Sequence, residues 1–232
     1  FNLFEYITFR AVTAAIIALI ISFIIGPWII HILQKKQIGE EIHQRGPESH
    51  MKKRGTPTMG GVIILTAVLL PTLLLAKLNN PLVQIIIFAT LWMGLIGFID
   101  DYLKVVKKLS LGLIARYKLV GQIFLGCIVS YWIFQIPDYI DISTKTTVPF
   151  FKNVELDLGF LYPIMVILVI TGTSNAVNLT DGLDGLLAGL LAISFSVFSA
   201  ITYITGRFDF SDYLNILYIP NAGELTIFTS AM

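Results

Sequence analysis

Two adjacent carboxylates, Asp100 and Asp101, close an apolar stretch that ends Gly97-Phe98-Ile99. An aspartate at the C-terminal end of a helix opposes the helix dipole, so capping does not explain the pair. Paired carboxylates suit Mg²⁺, which takes one or two of them together with phosphate oxygens and water. Two solvated interface charges are the alternative. Lys104, Lys107 and Lys108 follow at i, i+3, i+4 spacing, with Leu103, Val106, Leu109, Leu111 and Leu113 supplying an apolar side. This pattern predicts a short amphipathic helix on a membrane surface, its basic face open to phosphate groups. Surface anchoring alone accounts for it equally well. Further on, Thr173–Gly185 holds Asn178, Asp181 and Asp184 at intervals of three. On a helix they share one face, and ionisable residues beside apolar runs are costly enough to suggest a task. The alternative is a helix start with Asp181 as its N-cap. An earlier segment, His43–Gly61, is rich in Gly, Pro and charge. Thr56 as N-cap and Pro57 in the first turn predict a helix start beside Lys52, Lys53 and Arg54, a setting for an anion. Gly60 and Gly61 would admit a close backbone or ligand. Basic residues flanking a helix also serve simply to set topology. The three histidines are scattered, and neither a zinc pattern, a Walker A loop nor a dinucleotide fingerprint is present.

The elements that must position these residues are apolar helices. Of 232 residues, 56% are hydrophobic and 13% charged, with a mean hydropathy of +0.80. Ordinary globular domains carry roughly 25% charged residues. Disordered chains, basic nucleic-acid-binding proteins and disulfide-stapled domains are thereby excluded, so no nucleic-acid partner is expected. The single cysteine, Cys127, is expected to serve packing. Six uncharged runs of 19 to 23 residues are long enough to cross a bilayer: Ala11–Ile30, Gly55–Ala76, Leu78–Ile99, Leu119–Pro137, Leu158–Thr180 and Gly185–Gly206. A seventh opens at Leu225 and is still running at Met232. The predicted fold is an all-α, polytopic integral membrane helix bundle with six complete transmembrane helices and the start of a seventh. Residues 1–232 form a single transmembrane domain, expected to be a piece cut at both ends. Between Asp138 and Asp157 a small hairpin is predicted, its strands near Thr147–Phe151 and Asn153–Leu158.

Charge distribution gives the orientation. Assigning alternate connections to opposite sides puts eleven basic residues on one side and five on the other. The rich side should be cytoplasmic, with the N-terminus outside. The segments bearing the candidate chemistry then share the cytoplasmic face, at helix ends. The middles of the runs are clean, unlike a transporter, where ionisable residues gather near the midplane.

Three stretches in order, PESHMKKRGTPTMGG (Pro47–Gly61), GFIDDYLKVVKKLSLGLIARYK (Gly97–Lys118) and NAVNLTDGLDG (Asn175–Gly185), carry a resemblance. With NAGEL (Asn221–Leu225), they make the whole chain similar to the phospho-N-acetylmuramoyl-pentapeptide-transferases. These belong to the polyprenyl-phosphate N-acetylhexosamine-1-phosphate transferase superfamily. The resemblance implies transfer of phospho-MurNAc-pentapeptide from UDP-MurNAc-pentapeptide to undecaprenyl phosphate in the bacterial inner membrane. UMP leaves, the first lipid-linked peptidoglycan intermediate forms, and Mg²⁺ is required. It further implies that Asp100 and Asp101 are the essential catalytic and metal-handling pair. Lys53 and Thr58 would line the cytoplasmic cleft, Lys104 and Lys118 would lie near the nucleotide, and Asn178, Asp181 and Asp184 would form a polar cleft loop. A homodimer in the bilayer is implied too. The family's third essential aspartate and its histidine-rich loop have no counterpart in 1–232, so this piece is expected to be inactive by itself. Competing readings are a sister transferase using UDP-GlcNAc, a transporter with a cytoplasmic anion vestibule, and a structural membrane scaffold.

Overall fold

The computed structural model describes residues 2–35, 59–107, 112–148, 151, 154–180 and 185–232. The helices follow the apolar runs: α1 (Ile7–Lys35), α2 (Gly61–Leu75), α3 (Pro81–Val105), α4 (Ala115–Phe134), α5 (Tyr162–Thr180) and α6 (Leu186–Thr205). A short α7 (Phe208–Leu214) and α8 (Leu225–Ala231) complete the described helices, α8 beginning where the seventh run opens. The protein is an all-α polytopic membrane bundle. Five helices, α1, α3, α4, α5 and α6, are long and apolar enough to span a bilayer. The sixth expected span is shorter. The 15 residues of α2 reach about 22 Å at 1.5 Å per residue, against a hydrocarbon core of about 30 Å. Met59, at φ 70°, interrupts helical geometry just before it, and Gly60 is its N-cap. The predicted start at Thr56-Pro57 lies outside the described residues, and a Cβ on Gly60 or Gly61 would meet nothing within 4 Å among them.

Local chemistry sets the better-defined ends. The Asn80 side chain accepts the Leu82 N–H at 2.9 Å, and Pro81 occupies the first turn of α3. The strands β1 (Lys145–Thr147) and β2 (Glu155–Asp157) pair antiparallel, with Thr146 opposite Leu156. The predicted hairpin forms, but its first strand ends where the expected one was to begin.

Two packing clusters hold the helices. Ala11, Ala14 and Ala18 of α1 meet Val68 of α2 and Ile227, Phe228 and Ala231 of α8. Small side chains let these backbones approach, the usual way to associate helices when lipid is as apolar as leucine. Ile85 of α3 packs with Leu125 and Val129 of α4, Ile136 and Tyr139. Helix α5 joins through Gly126, where a Cβ would lie 2.6 Å from Ile167 Cγ1. Cys127 is exposed on α4, not packed inside. Facing lipid, a thiol needs no protein partner, so an apolar run does not reveal which side of its helix is covered.

Helix α3 fixes the two ends of the molecule. From Asn80 to Asp100 is twenty residues, about 30 Å of helix. At the Asn80 end, Asn80 Nδ2 donates to the Asn221 carbonyl and Tyr139 Oη donates to the Pro220 carbonyl. Arg10 pairs there with Glu224. The candidate site lies at the other end.

Candidate functional site

The two aspartates are one residue apart on α3, which turns their side chains about 100° from each other. They consequently have different partners. Asp100 is 8% exposed. Its Oδ1 accepts the Leu113 N–H at 2.8 Å. Its Oδ2 takes Lys104 Nζ at 3.0 Å and Lys118 Nζ at 2.7 Å. Lys104 stands one turn further along α3, the i, i+4 spacing that brings side chains together. Lys118 comes from the first turn of α4. A single buried carboxylate thus holds two ammonium groups, whose side chains are 38% and 27% exposed. Each ammonium has three N–H donors, so both keep donors for a ligand. The trio carries a net +1, turned outward.

Asp101 Oδ2 accepts the Met59 N–H at 3.2 Å, tying α3 to the segment that opens α2. Met59 has its backbone in the left-handed region, which is uncommon for a side chain of this kind and costs energy. Among the described residues the second oxygen of Asp101 has no hydrogen-bond partner. No group of three or more His, Cys, Asp or Glu gathers among the described residues. The donor set therefore differs between the aspartates. Among the described residues both oxygens of Asp100 are engaged, whereas one oxygen of Asp101 has no partner. One carboxylate with phosphate oxygens is a donor set that Mg²⁺ accepts.

Deeper in the bundle, polar contacts set the register of α4 against its neighbours. Trp92 Nε1 of α3 donates to the Gly121 carbonyl at 3.0 Å. Buried Gln122 of α4 donates through Nε2 to Ser174 Oγ of α5 at 3.0 Å. Asn175 Nδ2 donates to Gln122 Oε1 at 3.0 Å and to the Thr171 carbonyl at 2.8 Å. Gln122 is one turn below Lys118, so the bridge anchors the helix that presents this lysine.

The structure brings together Asp100, Lys104 and Lys118 and places Asp101 beside them. Asn178 is exposed in the last turn of α5, with no bond to this group. Lys53, Thr58, Asp181 and Asp184 lie outside the described residues. Gly185, at φ 80°, is the N-cap of α6. The predicted surface helix is not present among the described residues. Helix α3 continues to Val105, and Lys104 folds back along it to Asp100. Three contributors escaped the residue-type reading: the main-chain N–H groups of Met59 and Leu113, and Gln122. Only Gln122 left a sequence signal, as one of two amides, with Gln135, in the apolar run Leu119–Pro137.

The family model of glycosyl transferase family 4 matches residues 83–228, a stretch that encloses both aspartates, both lysines and the Gln122 bridge. The chain belongs to glycosyl transferase family 4. Residues 53–65 also match the phospho-N-acetylmuramoyl-pentapeptide-transferase signature 1, which runs from Lys53 through Thr58 and Met59 into α2. The phospho-N-acetylmuramoyl-pentapeptide-transferase of Citrifermentans bemidjiense is 47% identical over the full 232 residues, which cover 64% of that protein. That of Chloroherpeton thalassium is 49% identical over 228 residues, covering 98% of this chain and 62% of the relative. That of Desulfotalea psychrophila is 44% identical over 232 residues, 64% of its length. The chain thus spans slightly less than two thirds of these curated relatives.

Proposed function

We propose that the whole protein transfers phospho-MurNAc-pentapeptide from UDP-MurNAc-pentapeptide to undecaprenyl phosphate, releasing UMP and leaving lipid I in the membrane. The observation that carries this reading is the Lys104–Asp100–Lys118 bridge beside Asp101 at one end of a membrane bundle. Such a site grips a diphosphate without being closed to it. The names of the relatives support the choice of donor and acceptor. The excess of basic residues, eleven against five, supports placing this end at the cytoplasmic face of the inner membrane, with the N-terminus outside.

Phosphoryl transfer depends on positioning and on neutralising charge that spreads over the transferred group and the leaving oxygen. The acceptor phosphate, with a second pKa near about 6, is largely dianionic at neutral pH and is its own nucleophile. Its oxygen forms a bond to the β-phosphorus of the donor as the bond from that phosphorus to the bridging oxygen breaks, and UMP departs with the electron pair. Lys104 and Lys118 direct their spare N–H donors at the diphosphate. Asp100 holds the two ammonium groups at fixed separation and offsets their mutual repulsion. Asp101 would be the carboxylate that holds Mg²⁺, which would neutralise phosphate charge there. Met59 holds Asp101 by its N–H. Lys53, Thr58, Asn178, Asp181 and Asp184 complete the cleft in this reading.

The test is UMP release by the full-length protein in detergent, with undecaprenyl phosphate, with and without Mg²⁺. We expect Mg²⁺-dependent release with UDP-MurNAc-pentapeptide and none with UDP-GlcNAc. Asp100→Asn should lower kcat/KM by about 10²-fold, the scale of losing a preorganised charge contact. Release from UDP-GlcNAc alone would move the protein to the sister activity. No release from either donor would overturn the reading.

A further inference from the structure

The turn between α3 and α4 contributes a residue that nothing above has given a task. Gly112 is buried, and its φ is +58°. A Cβ built on it would lie 2.5 Å from Asp100 Oδ1, 2.7 Å from Lys104 Cε and 2.9 Å from Lys104 Cγ. Its left-handed backbone directs the following N–H, that of Leu113, onto the same Asp100 Oδ1 at 2.8 Å. Two separate constraints therefore call for glycine here: the backbone conformation and the space taken by the two side chains. Lys104 is long and could shift. Asp100 could not retreat without giving up the Leu113 N–H, because the atom a Cβ would strike is the acceptor of that bond.

Gly112 also stands three residues before α4, whose first turn carries Lys118. One residue thus adjoins Asp100 and Lys104 directly and sets the path to Lys118. We infer that Gly112 is a positioning residue, whose bare backbone lets the Gly112–Leu113 turn orient Asp100 so that one carboxylate oxygen bridges Lys104 and Lys118. This inference rests on the reaction proposed above. It makes the turn a determinant of grip on the donor diphosphate rather than of the chemical step. The lysines touch the diphosphate before and during transfer alike, so their displacement weakens binding in both states.

The experiment uses the full-length protein in detergent with Gly112→Ala and Gly112→Asn. Asparagine tolerates left-handed backbone better than alanine but still adds a Cβ, so the pair separates backbone strain from collision. Both variants should raise KM for UDP-MurNAc-pentapeptide about tenfold while kcat changes less than about threefold. Calorimetric binding of that donor, without Mg²⁺ or lipid phosphate, should weaken by the same factor. Adding Gly112→Ala to Asp100→Asn should cost less than about twofold more, since a residue acting through Asp100 has nothing left to act on. Wild-type donor binding in either folded variant, or effects that multiply in the double variant, would overturn the inference. So would failure of both variants to fold, which would assign Gly112 to folding. A wild-type protein that releases no UMP would instead overturn the reaction itself.

Discussion

Both ends of the bundle bury a carboxylate beside basic side chains, and they do so in opposite ways. At the Asn80 end, Arg10 Nη2 donates to Glu224 Oε1 at 2.6 Å and Nη1 to Oε2 at 2.8 Å. The Lys77 N–H adds a third bond to Oε2 at 3.0 Å, and Arg10 Nη1 also donates to the Leu75 carbonyl at 2.9 Å. The side chains are 6% and 5% exposed, and among the described residues the buried Nε of Arg10 has no partner. This is a bidentate pair that joins α1, the α2–α3 connection and the start of α8, with both carboxylate oxygens engaged and the exposed Lys77 ammonium only at the edge of contact, 3.9 Å from Oε1. At the other end a carboxylate holds two lysines whose ammonium groups remain partly open. A planar guanidinium fits a carboxylate fork and stays there, while ammonium groups are point charges with donors to spare. The same ingredients build a rivet at one end and a site at the other.

The largest effect that could break this comparison is on stability. Arg10→Ala strands Glu224 in a buried position, a kind of loss that costs about 3–5 kcal/mol. Asp100→Asn should cost far less, because the lysines it releases can reach water. Thermal unfolding in detergent measures both. Equal losses would show that the Asp100 cluster is also a rivet, and an unaffected Arg10→Ala would show that the Arg10–Glu224 pair is not one.

A smaller effect sharpens the contrast through pH. Burial by itself would raise the Glu224 carboxyl, but the Arg10 hydrogen bonds, the Lys77 N–H and the charges of both side chains outweigh it, so the group sits below its ordinary value. A depressed carboxyl contributes stability that is present above the unfolded value of about 4.5. That contribution fades as pH falls through the folded value. We expect the melting temperature to fall more steeply below about pH 4.5 in wild type than in Glu224→Gln. Parallel curves would remove Glu224 from the account.

How much of this was readable in advance differs by kind of interaction. The apolar runs marked the helices because every spanning backbone must bond within itself, which requires long uncharged segments. Asp100 and Asp101 stood out because carboxylates at the C-terminal end of a helix oppose its dipole, Lys104 by its spacing, and Lys118 only through the resemblance to the transferases. The Arg10–Glu224 pair was not legible: 214 residues separate its members, and no local pattern relates them. The donors from Leu113 and Met59 were hidden because a main-chain N–H is the same in every residue but proline. The end of α3 was placed too early because the charged turn after Ile99 continues the helix, with Lys104 neutralising the carboxylate one turn back. Local neutralisation replaced the chain break that the charge pattern suggested.

The smallest effect concerns what keeps the open site in register. Gln122 bridges Ser174 and Asn175, and Trp92 ties α3 to α4 one residue before it. In membranes such interhelical bonds contribute about 0.6 kcal/mol on average and reach about 2, so Gln122→Leu should lower stability only slightly. Yet Lys118 is one turn above Gln122 on the same helix, so its ammonium should lose its fixed approach to Asp100. Donor KM should rise about twofold to fivefold with the melting temperature nearly unchanged. Gln122→Glu, which keeps the acceptor for Asn175 but loses the donor to Ser174, should fall between. A melting temperature that drops with no change in KM would mean that the bridge serves the bundle alone, and that the site depends on its own turn for its geometry.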